Sequence, residues 1–368
     1  MDSRERIKRL LAFQEPDRIG KQDGFWEDTL SSWHAQGMPA DVAPGDYFDF
    51  DFDNLFIDAS LRLPERLIED TDEYTVRADK HGFVAKQWKG KAGALGYEAH
   101  SINDRADWER LKGNLAVDYG GASRLYTESY FTPFVGWPTW EAMGASFQAL
   151  QQRQKFTLVH VYGPHEANWR KHGFEQTLMN MVLDPGLMAD MSRVHVDLII
   201  ATLEKGRENG IVPDGLFMAE DLGVNTGPMF SLAAYEQILF PEHRRLGDYL
   251  QSAGIAYFIH TDGDVRRFIP HLIDAGVQVL QPMEARAHLD VRELKAQYGR
   301  DLAFMGNIAV EAMTASEAEL EREIRDKLAV AMQNGGYIYH SDHSVPSSVS
   351  LKRYQTVMAL LDKYGQYT

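Results

Sequence analysis

A (β/α)8 barrel of the TIM type, with an insertion or lid in its N-terminal half, is the fold that this sequence predicts. Alternation is the first reason: from residue 157 onward, short apolar runs rich in β-branched and aromatic residues take turns with segments of helical spacing, the pattern of a parallel sheet. Strand count is the second, because six such runs lie in this half and two more are readable upstream, approaching the eight that close a barrel. Third, no low-complexity linker or composition break divides the chain, so residues 1–368 read as a single domain. Periodicity alone leaves an open doubly wound sheet as the alternative.

In chain order, residues 1–14 are charged and amphipathic, and a strand signal follows near Ile19. A second strand at 54–58 ends on Asp58, which would cap a helix over 59–68. Residues 70–122 differ: 74–78, 83–88 and 97–100 resemble short antiparallel strands, the insertion or lid. Buried strands are expected at 157–162, 215–218, 256–259, 277–280, 302–305 and 337–339. Helical spacing fills 174–209, 232–252, 265–275, 291–298, 316–333 and 350–364.

The chain carries 54 acidic against 38 basic side chains, a formal charge of −16, and the basic ones are scattered. A nucleic-acid surface would need a concentrated basic stripe, so no nucleic acid partner is expected. Cysteine is absent, which removes disulfides, thiolate ligands and a cysteine nucleophile together. No apolar run approaches the roughly 20 residues that span a bilayer, so a cytoplasmic protein with no membrane partner is expected. Residues 90–96 spell G-x-x-G-x-x-G, which is not dinucleotide spacing, and no phosphate loop occurs.

Each expected strand is followed by a polar cluster: Gly163-Pro164-His165-Glu166, Glu220-Asp221, His260-Thr261-Asp262-Gly263, Gln281-Pro282-Met283-Glu284, Gly306-Asn307 and His340-Ser341-Asp342-His343. In a parallel barrel these ends converge on one face, where catalytic groups lie. His260 and Asp262, two apart on an extended segment, point to one side. With His343 they make a candidate metal-ligand set, completed by Glu220, Asp221 or water. The same residues suit a metal-free polar site, because a strand-end histidine often bonds a carbonyl and Asp-Gly is turn chemistry.

Adjacent carboxylates in a closed cavity repel, so Glu220 and Asp221 are candidates for general acid and base, although either can instead cap a helix or face solvent. Asp58 and His343 are further catalytic candidates, and Trp26, His165, Trp169, Glu284 and Asn307 are candidate substrate contacts. The aromatic run Tyr130, Phe131, Phe134, Trp137 and Trp140 either lines an apolar mouth or packs in the core.

Residues 214–364 resemble the uroporphyrinogen decarboxylase superfamily. The likeness rests on Pro228-Met229-Phe230-Ser231 with Tyr235 and Pro241, His260-Thr261-Asp262-Gly263-Asp264, Gly306-Asn307, Gly335-Gly336-Tyr337-Ile338 and Asp342-His343-Ser344-Val345-Pro346. Upstream, Leu55-Phe56-Ile57-Asp58 is similar to the segment bearing the family's catalytic aspartate, and Arg4-Glu5-Arg6 with Pro16-Asp17-Arg18 also fits. The resemblance implies a distorted (β/α)8 barrel with a deep cleft at the strand C-termini.

In the decarboxylase branch, which uses no cofactor, Asp58 would bind the pyrrole NH groups and His343 would take the place of the C-terminal cleft histidine. That branch's arginine-bearing motif is missing: Lys21-Gln22-Asp23-Gly24-Phe25-Trp26 occupies the region, and Trp169 stands for the cleft tyrosine. Asp23 would repel a polycarboxylate. The second branch comprises zinc-dependent methyltransferases that work with a separate corrinoid protein and hold zinc on a His-x-Cys pair and a later cysteine. His260 matches that histidine, Asp262 replaces the first cysteine, and His343 falls about where the second lies.

The resemblance therefore implies a divalent cation, zinc first, at His260, Asp262 and His343. Without thiolates the metal is harder, suiting a methoxy-type oxygen substrate better than a thiol. No corrinoid-binding motif occurs, so a corrinoid would arrive on a partner protein, and dimeric relatives imply a homodimer. The alternatives are a metal-independent decarboxylase of uroporphyrinogen or a smaller acid, and a barrel that only binds a ligand.

Overall fold

Apolar runs buried on both faces become the strands of one large parallel sheet in the computed structural model, which describes residues 1–90, 95–118, 121–127 and 136–367. The strands are β1 (Gly20–Lys21), β2 (Phe52–Ile57), β3 (Arg66–Asp70), β4 (Tyr74–Ala78), β5 (Phe83–Trp88), β6 (Leu95–His100), β7 (Leu125–Tyr126), β8 (Phe156–Tyr162), β9 (Gly215–Ala219), β10 (Gly223–Val224), β11 (Gly227–Pro228), β12 (Ala256–Thr261), β13 (Val279–Pro282), β14 (Ala303–Met305) and β15 (Tyr337–Tyr339). The large sheet runs β1-β15-β14-β13-β12-β9-β8-β2-β7. Its pairs are parallel except that of β2 with the short β7. Eight parallel strands thus succeed one another in chain order and the last pairs with the first, the circuit of a distorted TIM barrel.

The distortion lies at the seam between β1 and β2. There the Asp51 amide donates to the Lys21 carbonyl at 2.9 Å, and the Lys21 amide donates to the Asp51 carboxylate at 2.7 Å. Arg6 and Arg18 each reach that buried carboxylate at 2.7 Å, and Arg6 also takes Asp17 in a fork of 2.7 and 2.8 Å. The N-terminal arginines and Asp17 are a charged clasp on the barrel seam.

Side chains of alternate residues fill the barrel in layers. Phe52, Phe156, Leu158, Phe258, Val279, Met305 and Ile338 form an apolar floor, closed below by Ile7 and Leu10 of the helix Ser3–Leu11. Two residues further along the strands, the same phase carries Asn54, His160, His260, Gln281 and His340. A polar layer therefore sits directly above an apolar one.

Several expectations are corrected. Residues 59–68 form no helix: Pro64 interrupts the segment, and Arg66–Asp70 extends as an edge strand of an antiparallel sheet β3-β4-β5-β6. The expected helix over 174–209 is two, Phe174–Leu183 and Pro185–Glu208, because Asp184 caps the second and Pro185 opens it. The segment 232–252 likewise divides into Leu232–Ile238 and Phe240–Ala253 beside Pro241.

Of the aromatic run, Tyr130, Phe131 and Phe134 lie outside the described residues. Trp140 is buried with its Nε1 donating to the Asp118 carbonyl at 2.9 Å, and the Arg62 guanidinium lies 4.4 Å over Trp137. The small sheet stands against the helix Pro164–His172, with Tyr97 edge-on to Trp169 at 5.2 Å and His100 donating to the Arg170 carbonyl at 3.0 Å. Among the described residues no helix is long and apolar enough to cross a membrane.

Candidate active site

The site grows from the end of β12. His260 pairs in register with Ala219 of β9 and Gln281 of β13, so its ring enters the polar layer between them. Past the strand, Gly263 turns the chain at φ 79°, and a Cβ there would lie 2.4 Å from the Gly223 carbonyl carbon. Only glycine allows that approach, and the turn aims Asp262 back over His260. Glu284 stabilises it by accepting from the Gly263 amide at 3.1 Å.

Asp221 completes the group. Its Oδ1 accepts from the Asp262 amide at 3.0 Å and lies 3.4 Å from His260 Nε2, while Asp262 Oδ2 lies 3.9 Å from the same nitrogen. One ligand atom from each of Asp221, His260 and Asp262 lies within 4.8 Å of the others, the group of three that metal-ligand spacing picks out among the described residues. Asp262 Oδ1 is buried without a hydrogen-bond partner among the described residues. Burial pushes the Asp262 carboxyl up, and with Asp221 beside it the pull of His260 does not bring it back. For His260, burial presses downward, yet Asp262 and Asp221 outweigh it and hold the imidazole above its usual value.

Electrostatically linked to this group is Glu166, a member of the polar cluster Gly163-Pro164-His165-Glu166 to which the sequence assigned no role of its own. Its Oε1 accepts from Trp169 Nε1 at 2.8 Å, its Oε2 meets Arg170 at 2.9 Å, and the guanidinium lies 4.1 Å over Tyr162 and 4.2 Å over Trp169. Burial raises Glu166 to about 7 against the opposing Arg170, with Asp221 adding to the rise. The folded protein therefore holds a proton there that the unfolded chain, near ~4.3, has released, so this group's contribution makes stability fall as pH rises between those values. Glu166→Gln is expected to flatten that part of the fall, read as melting temperature against pH; an unchanged slope would refute the assignment.

The other expected site residues take varied places. His343 stands outside the group of three: its ring packs 5.8 Å from Trp26, and its charge acts on Asp262. Glu220 points out of the barrel and is fully buried, accepting from the His165 and Glu166 amides at 3.0 and 3.1 Å and lying 3.0 Å from His243 Nε2. His165 is buried edge-on against Phe230, its Nε2 without a partner among the described residues.

Asn307 is buried and ties loops together, donating to the Met283 and Leu289 carbonyls and accepting from the Val291 amide. Asp58 is buried at the end of β2, bound by Arg62 at 2.8 Å and the Ser60 amide at 3.2 Å, with Arg124 at 3.6 Å. Burial alone would raise Asp58, but Arg124, the Ser60 hydrogen bond and Arg62 hold it low. Asp23 is spent inside the fold on Tyr339, Tyr354 and Ser341.

The family model for uroporphyrinogen decarboxylase matches residues 168–364, more than half of the chain. The chain belongs to the uroporphyrinogen decarboxylase family. The span that places it there includes Asp221, His260, Asp262 and His343, and leaves Trp26 and Asp58 outside. Among solved structures, this family member is similar to a methyltransferase from Methanosarcina mazei, 11% identical with a TM-score of 0.63 over 99% of each chain. It is also similar to a putative vitamin-B12-independent methionine synthase from Listeria monocytogenes, 11% identical with a TM-score of 0.38 over 63% of this chain and 71% of that one. The first likeness supports the barrel over its whole length. No curated protein matches this uroporphyrinogen decarboxylase family sequence.

Proposed function

We propose that this family member is a metal-dependent methyltransferase or demethylase that takes a methyl group from a small methoxy-type substrate and passes it to a corrinoid on a separate protein. The observation that carries the reading is the Asp221, His260 and Asp262 group, with a buried Asp262 oxygen left without a partner among the described residues. Two clustered carboxylates facing one imidazole nitrogen fit a cation better than they fit one another. Asp221, His260 and Asp262 would hold the ion, zinc being the first candidate, and His343 stands near Asp262. A divalent cation there supplies Lewis acidity toward a substrate oxygen.

The chain's own residues supply the rest. Glu166, poised near neutrality, gives its proton to the oxygen that loses the methyl group. Arg170 fixes that carboxyl, while Trp169 meets Tyr97 of the small sheet edge-on, the contact through which the sheet would act as a lid. The methyltransferase name of the Methanosarcina mazei neighbour agrees with the reading. A decarboxylase that holds substrate on Asp58 is less well supported, since Arg62 and Arg124 already engage that carboxylate.

Protein purified without a polyhistidine tag is expected to retain a divalent metal and to melt higher on adding zinc, as any ligand of the native state requires. Less than about half an equivalent of metal, with no added zinc stabilisation, would overturn the reading.

A further inference from the structure

We propose that the rim beside the candidate site holds a separate anion-binding subsite, in which Arg267 and the free edge of Arg266 take the phosphate or carboxylate group of a ligand. Its shape and charge stand apart from the metal reading above.

A cavity of about 490 Å3 opens between the hairpin of β10 and β11 and the turn that follows β12, lined by Thr226, Gly227, Pro228, Asp264, Arg266 and Arg267. That is room enough for a small ligand. Backbone hydrogen bonds hold both walls in place. Gly223 pairs with Pro228 and Val224 with Gly227 across the hairpin, and the Met229 amide closes it by donating to the Leu222 carbonyl at 3.0 Å. The Asp264 amide donates to the Val224 carbonyl at 3.0 Å, and the Leu222 amide to the Thr261 hydroxyl at 3.0 Å. Hairpin and turn are thus tied to each other.

Charge sets the sign of the ligand. Among the described lining residues Asp264 alone is acidic, and Arg266 takes it in a fork of 2.9 and 2.7 Å through Nε and Nη2. Arg266 Nη1 is left without a partner among the described residues. Arg267 is exposed and makes no hydrogen bond or ion pair among them. Glu293 acts on Arg266 from outside the lining, so the charge left over in the cavity is that of Arg267.

In a chain of net charge −16, and next to Asp221 and Asp262, this is a local reversal of sign. A guanidinium offers a planar set of donors that matches an oxyanion in two parallel hydrogen bonds, and the Thr226 hydroxyl adds another donor. A cation or a neutral apolar ligand would leave those donors unused.

The subsite shares its backbone with the candidate ligand group. Leu222 alone separates Asp221 from the hairpin, Gly263 alone separates Asp262 from Asp264, and a Cβ on Gly223 would lie 3.1 Å from the Asp262 carbonyl oxygen. An anion bound between Thr226 and Arg267 therefore clamps together the two loops that carry Asp221 and Asp262.

The test titrates the metal-free full chain calorimetrically with inorganic phosphate and, separately, with acetate, at low ionic strength. Phosphate is expected to bind with a Kd in the millimolar range or tighter, and Arg267→Gln to weaken it about tenfold or more, as losing a hydrogen bond to a charged group does. Arg267 is exposed, so this variant should melt as the wild type does. Arg322→Gln, which removes the same charge from the helix Glu317–Ala331, is expected to leave binding unchanged.

Hydrogen exchange at the Asp264 and Met229 amides should slow when phosphate is added to the wild type and not when it is added to Arg267→Gln. Acetate binding with the same dependence on Arg267 assigns the subsite to a carboxylate, and binding of phosphate alone assigns it to a phosphate-bearing ligand. A wild type that binds neither anion, equal binding by Arg267→Gln, or an equal loss in Arg322→Gln overturns the subsite. A protein that takes phosphate as expected but no zinc keeps the subsite and loses the metal reading, and one that takes zinc but neither anion does the reverse.

Discussion

Asp262→Asn is expected to melt higher than the wild type when both are metal-free, and lower when both are given zinc. The first effect follows from the raised Asp262 carboxyl, which burial and the neighbouring Asp221 push up. A carboxylic acid that is harder to ionise folded than unfolded penalises the native state as pH rises from the unfolded value, near ~3.9, through the folded one. Asparagine removes that penalty, so the difference should vanish in acid and grow as pH rises above the unfolded value. The second effect is larger. At a cation concentration 100-fold above Kd, binding adds about 2.7 kcal/mol to native stability.

Losing one of three donors should weaken binding by more than the roughly 10–100-fold that an outer-shell loss costs, which removes nearly all of that gain. Calorimetric melts at pH 7 with and without zinc read both signs. A variant that melts lower in both conditions would mean that Asp262 serves only the turn it shares with Gly263.

Legibility in the sequence followed the physics of each element. Strands buried on both faces leave continuous apolar runs, so β8, β9, β12, β14 and β15 were readable to within two residues of their ends, while β13 lies two residues further along than its apolar run. The two-residue β1 left only a hint near Ile19, because a clasp of Arg6, Arg18 and Asp51 holds it instead of an apolar run of its own. The break at Asp184-Pro185 and the interruption at Pro64 were both missed, although capping chemistry and the missing proline amide mark them.

In the site, the two-residue period paired His260 with Asp262. The same period gives the phase of β9: Gly215, Phe217 and Ala219 face inward, so Asp221 does too and Glu220 faces out. His343 follows β15 on irregular backbone, where no period fixes a side chain's direction. Glu166 was placed in a strand-end cluster but given no role, because it sits in the first turn of a helix, where direction depends on how the helix is rotated against the barrel. Gln281 and His340 meet although β14 separates their strands, a relation that no local pattern encodes.

Glu220→Ala is expected to destabilise the fold by about 3–5 kcal/mol, the loss typical of removing one partner from a buried charged network, with the same deficit whether zinc is present or absent. The carboxylate is wholly buried, and its two oxygens serve the His165 and Glu166 amides and His243. Those amides open the helix Pro164–His172, whose N-cap is Gly163, a residue with no capping side chain. Glu220 supplies from a neighbouring strand the acceptors and the negative charge that a helix N-terminus attracts.

Gly163 makes the arrangement possible, since a Cβ there would come within 2.4 Å of Glu220 Oε2. Gly163→Ala should therefore reproduce part of the same loss by displacing the carboxylate. Urea unfolding at pH 7 measures both variants. A Glu220→Ala protein of wild-type stability but without activity would return Glu220 to the chemistry. The outcome expected instead gives the adjacent carboxylates opposite places: Glu220 holds the helix that carries Glu166, and Asp221 faces His260 and Asp262.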